Sequence, residues 1–253
     1  MTERRGKAND QPNPASASEP RTSRRTLVGA GAGLALTGTL PAGVATGATS
    51  PTGDPKPNAI SPADAVKRLR EGNARYAANE PNEKDFSTGR AARATAQYPF
   101  AAILSCADSR VAPELVFDQG PGELFVVRVA GNFVDTELLA SLEYGVEFLG
   151  IPLIVVLGHT GCGAVYAAIQ VMKKDAKLPG HLPDLIRALK PAVVVGEKAT
   201  SGTLLDNAIV ENVRRQVAAL KRANPIVARE YAAKNIDIIG GVYDLATGRV
   251  TPV

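Results

Sequence analysis

The sequence has few of the residues that mark a disulfide scaffold, a membrane protein or a nucleic-acid binder. Its 253 residues include two cysteines, two histidines and no tryptophan. No uninterrupted apolar run reaches the roughly 18 residues that a membrane-spanning helix needs. The net charge is +4, and residues 1–50, with six basic against three acidic side chains, contribute +3 of it. The nearly neutral remainder offers no electrostatic footprint for nucleic acid. We therefore expect neither nucleic-acid binding nor stable membrane insertion.

The first 50 residues differ in composition from the rest of the chain. Residues 1–20 are polar and rich in Ser, Pro, Asn and Ala, a composition that cannot bury enough apolar area to fold. Arg24 and Arg25 then precede a weakly apolar stretch that ends in small residues near 45–48, which is typical of an export signal. The segment resembles a twin-arginine signal; the alternative is a disordered basic tail. We predict a leader over 1–50, a mature domain over 51–253 and a periplasmic or extracellular location.

The remainder alternates between patterns of strand and helix. Ser61 and Pro62 are typical of a helix start, and Val66, Leu69 and Tyr76 follow at helical spacing. Further along, short apolar runs predict strands at 100–105, 124–130, 151–158 and 236–244, separated by candidate helices at 133–149, 162–175, 181–195 and 203–222. Continuously apolar strands between helices predict an α/β fold with a mainly parallel sheet flanked by helices. In such a fold the ligand site lies at the carboxyl ends of the strands.

Both cysteines lie where a predicted strand ends. Cys106 follows the run 100–105, and Cys162 follows the run 151–158. A disulfide or a pair of inert buried thiols is the simple alternative, but neither accounts for His159 three residues before Cys162. Two thiolates and one imidazole form a tetrahedral zinc site with one open position, as in catalytic centres. The other histidine, His181, stands in "LPGHLPD" and is interpreted as a surface or helix-start residue.

An acid and a base follow the first cysteine. Asp108 is close enough in sequence to Cys106 to coordinate the metal or to hydrogen-bond a water on it. Arg110 can hold the Asp108 carboxylate in a charge-assisted fork. The alternative is an ordinary surface ion pair, which contributes little to stability.

The order C-x-D-x-R and then H-x-x-C, within "SCADSRVAPELVFDQGPGELFVVRVAGN" and "SLEYGVEFLGIPLIVVLGHTGCGAV", resembles the β-class carbonic anhydrases. The resemblance covers roughly residues 61 to 250 and is greatest to the plant-like branch. It implies zinc on Cys106, His159 and Cys162, with Asp108 and Arg110 as an orienting dyad. It further implies reversible hydration of CO2 to bicarbonate and a proton, by attack of zinc hydroxide on CO2.

The resemblance also implies a substrate pocket and an assembly. Gln97, Phe125 and Tyr144 match pocket residues of the family, and Gly163 follows the last zinc ligand; a surface amide and two core aromatics are the alternative interpretations. A homodimer or tetramer is expected, with an N-terminal helical arm over the partner and Gln97 reaching across the interface. Two other functions stay open at this point. One is hydrolysis of CS2 or COS on the same fold, because pocket shape decides the substrate; the other is a non-catalytic zinc-binding role.

Overall fold

The structure is a computed structural model that describes residues 58–253. The predicted leader over 1–50 lies outside these residues. Within them, no helix is both long enough and apolar enough to cross a bilayer. The elements in chain order are α1 (Pro62–Ala77), α2 (Arg90–Thr95), β1 (Ala101–Ser105), α3 (Pro113–Val116), β2 (Leu124–Arg128), α4 (Thr136–Glu147), β3 (Leu153–His159), α5 (Gly163–Lys174), α6 (Leu182–Gly196), α7 (Leu204–Leu220), α8 (Ile226–Ala232), β4 (Asp237–Tyr243) and β5 (Val250–Pro252).

Five strands form one sheet in the order β2-β1-β3-β4-β5. The first four are parallel, with Ile103 of β1 in register with Val126 of β2 and Val155 of β3. Strand β5 runs antiparallel to β4 at the edge. Every residue of β1 and β3 is buried, which explains why both read as continuous apolar runs. The predicted α/β fold with a mainly parallel sheet flanked by helices is confirmed.

Helices cover both faces of the sheet. On one face, α1 and α3 pack against side chains that include Val155 and Leu157 of β3. On the other face, α4, α7 and α8 pack against Ile154 and Val156 of the same strand. Helices α5 and α6 pack together and reach the sheet by way of α7. Their apolar cluster contains both cysteines, so the cysteines lie where this helix layer meets the strand ends.

Helix α1 begins as the sequence predicts. The Ser61 hydroxyl accepts a hydrogen bond from the backbone N–H of Asp64 at 3.1 Å, which satisfies one of the unpaired donors of the first turn. Leu69 is buried, and Val66 and Tyr76 pack beside it against the same apolar cluster. The predicted apolar stripe therefore holds α1 on the sheet of its own chain.

Two glycines let α7 approach the sheet closely. A Cβ atom on Gly158 of β3 would lie 2.7 Å from a methyl group of Val213, and one on Gly240 of β4 would lie 2.6 Å from the other. Both distances are shorter than a van der Waals contact, so larger residues at these positions would push α7 away from the strand ends. The two glycines thus set the position of α7 relative to the cysteines.

The structure differs from the sequence predictions at several boundaries. Strand β3 extends to His159, which pairs with Tyr243 of β4, one residue beyond the predicted strand end at 158. Strand β2 stops at Arg128 and not at residue 130. Helices α2, α3 and α8 and strand β5 were not predicted. They are three to seven residues long, too short for a periodic apolar pattern to develop.

Candidate metal centre

Two cysteines and a histidine meet at the carboxyl edge of the sheet. Cys106 follows β1, His159 ends β3, and Cys162 immediately precedes α5. One ligand atom from each lies within 4.8 Å of the others, and all three residues are buried. The two sulfurs are 3.9 Å apart and both cysteines are free thiols, a separation about twice that of a disulfide bond. The structure thus brings the three predicted ligands together without joining the cysteines.

The environment of His159 fits a metal. Its Nδ1 lies 2.9 Å from the carbonyl oxygen of Thr160, so Nδ1 carries the proton and donates it while Nε2 keeps its lone pair. This Nε2 is fully buried and has no hydrogen-bond partner within the described part of the chain. Buried polar atoms are normally paired, and metal-bound histidines commonly donate their other N–H to a carbonyl. The orphaned nitrogen beside two thiols is the donor set that zinc prefers.

The two thiols affect each other. A hydrogen bond from Cys162 holds the pKa of the Cys106 thiol below its usual value, with further help from the backbone N–H of Gly131. The same hydrogen bond, together with burial, raises the pKa of the Cys162 thiol. Without a cation the pair therefore favours a single negative charge, since a second buried thiolate would be 3.9 Å from the first. A divalent metal removes that penalty and would convert both thiols to ligands.

Asp108 and Arg110 form a fork beside the three ligands. Arg110 donates to Asp108 from Nε at 2.9 Å, from Nη2 at 2.7 Å and from its own backbone N–H at 3.0 Å. These bonds hold the pKa of the Asp108 carboxyl below its usual value. The Oδ2 atom of Asp108 is 3.8 Å from Nε2 of His159. The carboxylate is thus ionised, faces the cluster and is held by arginine. In the described residues, the cluster of ligand atoms consists of Cys106, His159 and Cys162, and Asp108 lies beside it.

Arg128 is a residue of this region that the sequence did not single out. Its Nε donates to the carbonyl oxygen of Cys106 at 2.9 Å, and its Nη2 donates to that of Asp108 at 2.7 Å. Arg128 therefore fixes the backbone that carries both a ligand and the acid. In the sequence it stands directly after the apolar run "LFVV", which marks it as the end of a strand. Its hydrogen-bond partners cannot be predicted from that position, because they depend on the pairing of β2 with β1.

Comparison with known proteins assigns the chain. Residues 101–250 match a protein family described as Carbonic anhydrase. The chain is 40% identical over 191 residues to a carbonic anhydrase of Mycolicibacterium smegmatis, across 75% of this chain and 92% of that protein. The chain belongs to the carbonic anhydrase family. Carbonic anhydrase 2 of Mycobacterium tuberculosis is similar at 41% identity, over 75% of this chain and 91% of its own length.

Solved structures place this carbonic anhydrase in the β class. The β-carbonic anhydrase of Coccomyxa, in complex with acetazolamide, aligns with a TM-score of 0.59 and 30% identity, covering 76% of this chain and 85% of that one. A structure of the tetrameric β-carbonic anhydrases of Sordaria macrospora aligns with a TM-score of 0.57 and 25% identity, covering 65% and 86%. The predictions of β-class membership and of carbonic anhydrase activity, the reversible hydration of CO2, are confirmed.

The other predicted site residues of this carbonic anhydrase lie apart from the ligand cluster. Gln97 is exposed and precedes β1, whereas Cys106 follows it, so the length of a five-residue strand, about 16 Å, separates them. Phe125 is in register with Ala102, four residues or about 13 Å along the strand direction from Cys106. Tyr144 on α4 is 46% exposed. Gln97 and Phe125 thus lie towards the opposite end of β1 from Cys106, and the Tyr144 ring lies 6.4 Å from that of Phe125.

Gly163 is the exception among the predicted pocket residues. It is the first residue of α5, directly after Cys162. A Cβ atom placed on it would meet no atom within 4 Å, so the surface beside the last ligand is open at this point. Gly163 is therefore the one predicted pocket residue that the described chain places next to a ligand of the cluster.

Proposed function

We propose that this carbonic anhydrase hydrates CO2 with one zinc ion held by Cys106, His159 and Cys162. The observation that carries the proposal is the buried, unpartnered Nε2 of His159, which lies within 4.8 Å of two buried thiols. Three protein ligands leave the fourth tetrahedral position free, as in other catalytic zinc sites. Bound zinc lowers the pKa of water to about 7 and so supplies a hydroxide nucleophile at neutral pH.

Asp108 and Arg110 would orient that nucleophile. A carboxylate that is ionised and fixed can accept a hydrogen bond from the O–H group and direct its lone pair at the carbon of CO2. Arg110 contributes by keeping both carboxylate oxygens engaged, at 2.9 and 2.7 Å, so that Asp108 does not turn to become a ligand itself. Arg128 would keep the backbone of both residues in place through its two carbonyl contacts.

Metal analysis of purified protein tests the ligand set. We expect one zinc per chain in the wild type and loss of zinc in Cys106→Ala, His159→Ala and Cys162→Ala. His181→Ala is the matched control, because His181 is the other histidine of the chain and is exposed. Full zinc in Cys162→Ala, or loss of zinc in His181→Ala, would contradict the proposed site. Stopped-flow CO2 hydration by the same preparations links the metal to the activity.

We further propose that two chains share each active site. The support is geometric: Gln97, Phe125 and Tyr144 lie away from the metal centre of their own chain, and Tyr144 and Phe148 form an exposed pair beside the half-buried Phe125. Ring centroids of Phe125 and Tyr144 are 6.4 Å apart, and those of Tyr144 and Phe148 are 5.4 Å apart. Phe148 is 68% exposed; a contiguous apolar patch of this kind is typical of an interface. A homodimer, alone or within a tetramer, would cover it.

Subunit mixing tests whether Gln97 acts across the interface. A Gln97→Ala chain keeps its zinc ligands, and a Cys162→Ala chain keeps its glutamine. If the glutamine acts on the partner's site, a mixed dimer contains one intact site and is more active than either homodimer. If Gln97 acts within its own chain, mixing restores nothing. A fully active monomer by light scattering would also overturn the shared site.

For the leader, we propose export by a twin-arginine route, supported by Arg24, Arg25 and the weakly apolar stretch after them. Such export of an already folded chain would protect the two thiols, because zinc binding before transport prevents their oxidation. The test is fractionation of cells that express the full chain with Arg24→Lys and Arg25→Lys together. The matched control changes the other paired arginines of the leader, Arg4→Lys and Arg5→Lys. Export of the first variant at the level of the second would refute the proposal.

A further inference from the structure

A buried chain of hydrogen bonds connects α7 to the thiol of Cys106. The side-chain Nε2 of Gln216 donates to Oδ1 of Asn212 at 3.1 Å, and Nδ2 of Asn212 donates to the carbonyl oxygen of Gly131 at 2.8 Å. The backbone N–H of Gly131 in turn donates to Sγ of Cys106 at 3.3 Å. Asn212 is 1% exposed and Gln216 is 8% exposed, so water does not compete for these bonds.

The same two amides hold the loop after β2 at a second point. The Oε1 atom of Gln216 accepts a hydrogen bond from the backbone N–H of Val134 at 3.1 Å. The carbonyl of Gly131 and the N–H of Val134 are therefore both fixed by α7. Asn212 and Gln216 use a donor and an acceptor each in this arrangement, and they anchor the loop on the side that faces α7.

The loop conformation favours glycine at its central residue. Gly131 has a φ of +89°, and a Cβ atom there would lie 2.8 Å from a methyl carbon of Leu189. The positive φ favours glycine, and a larger residue would also displace the Leu189 side chain. A glycine is flexible, so its N–H stays on the sulfur only where neighbouring contacts restrict it. Asn212 supplies that restriction, since it binds the carbonyl of the same residue.

We propose that Asn212 and Gln216 are positioning residues that, through Gly131, keep a hydrogen-bond donor on the Cys106 thiolate. The inference rests on the proposed zinc site and adds two residues of α7 to it. A donor on a thiolate withdraws electron density from the sulfur, which moderates how strongly the sulfur donates charge to a metal. The alternative is a structural role, in which the two amides only satisfy the backbone of the loop.

The experiment compares cobalt-loaded wild type with Asn212→Leu, Gln216→Met and Asn73→Leu. Asn73 is the matched control, because it is a buried amide that also bridges backbone groups, with bonds to Val116 at 3.0 Å and Gly248 at 2.8 Å. It lies on α1, outside the metal centre. The readouts are the thiolate-to-cobalt charge-transfer band, zinc affinity by chelator competition, and stability to urea of each metal-free protein.

We expect Asn212→Leu to move the charge-transfer band to lower energy, because a thiolate without its donor is easier to oxidise. We also expect zinc affinity to fall by about 10- to 100-fold, the range for a lost outer partner of a metal ligand, because the sulfur is no longer held in position and this outweighs its stronger donation. Gln216→Met should cause a smaller change in the same direction, since Asn212 still contacts Gly131; it also carries the test if Asn212→Leu does not fold. Asn73→Leu should lower stability to urea and leave the band unchanged.

Two results would overturn the inference. One is a band that stays in place in both α7 variants; the other is an equal shift in all three variants, which would point to general loosening of the fold. Absence of any charge-transfer band in cobalt-loaded wild type is a different result, because it would refute the zinc site itself.

Discussion

Replacement of Arg110 by alanine separates a catalytic dyad from a surface ion pair. The Arg110 side chain is 58% exposed and makes two hydrogen bonds to Asp108. An exposed pair of this kind contributes about 0–1 kcal/mol to stability. The variant also retains the bond from the backbone N–H of residue 110 to Asp108. Arg110→Ala should therefore unfold in urea within about 1 kcal/mol of the wild type.

Activity should respond much more strongly than stability. Without the fork, the Asp108 carboxylate is free to turn towards the metal, since its Oδ2 already lies 3.8 Å from Nε2 of His159. We expect zinc to stay bound and kcat/KM for CO2 hydration to fall by about 10- to 100-fold, as for other partners that orient a metal site. Arg110→Lys should recover only part of the loss, because an ammonium group keeps the charge but cannot form the planar fork.

Arg187→Ala is the control for this prediction. Arg187 pairs with Asp184 at 2.6 Å, and its side chain is 75% exposed, so it matches Arg110 in chemistry but lies on α6. Its loss should cost as little stability and no activity. Stopped-flow CO2 hydration, urea unfolding and zinc analysis on the three variants decide the matter. Wild-type kcat/KM in Arg110→Ala would refute the dyad.

Other substitutions test the supports of the fold and the site. Burial opposes ionisation of Asp118, but hydrogen bonds from Lys84 and Arg75 outweigh it and hold the pKa of the carboxyl below its usual value. Asp118→Asn should therefore lower the free energy of unfolding in urea by about 2 kcal/mol at pH 7, measured on metal-free protein. The difference from the wild type should shrink as pH falls below about 4, because there the carboxyl of the unfolded wild type takes up its proton. Gly72→Ala should destabilise the protein in the same assay, because its Cβ would lie 1.9 Å from the carbonyl oxygen of Phe117. This clash should outweigh the preference of alanine for helix, about 1 kcal/mol, and a more stable variant would show that the contact can relax. Arg128→Lys should weaken zinc binding in a chelator competition, since one ammonium group cannot reproduce the two carbonyl contacts at 2.9 and 2.7 Å; unchanged affinity would show that the ligand loop does not need them.

The sequence by itself determined the four parallel strands of the sheet and the three proposed ligands. Strands β1 and β3 are buried on both faces, so their sequences must be continuously apolar and can be recognised. Cys106 follows β1 directly and Cys162 comes three residues after the end of β3, and the carboxyl ends of neighbouring parallel strands meet at one edge. The spacing of His159 and Cys162 is local. These features depend on residues close together in the chain, which is why they were predictable.

The tertiary structure alone decided how the ligands are held. The sequence left open whether Asp108 binds the metal or Arg110, and the structure pairs it with Arg110. The contact of Asn212 with Gly131 joins residues 81 positions apart, and no periodic pattern encodes such a pair. It exists because Gly158 and Gly240 let α7 approach the sheet. These contacts depend on packing between distant segments, which local sequence patterns do not predict.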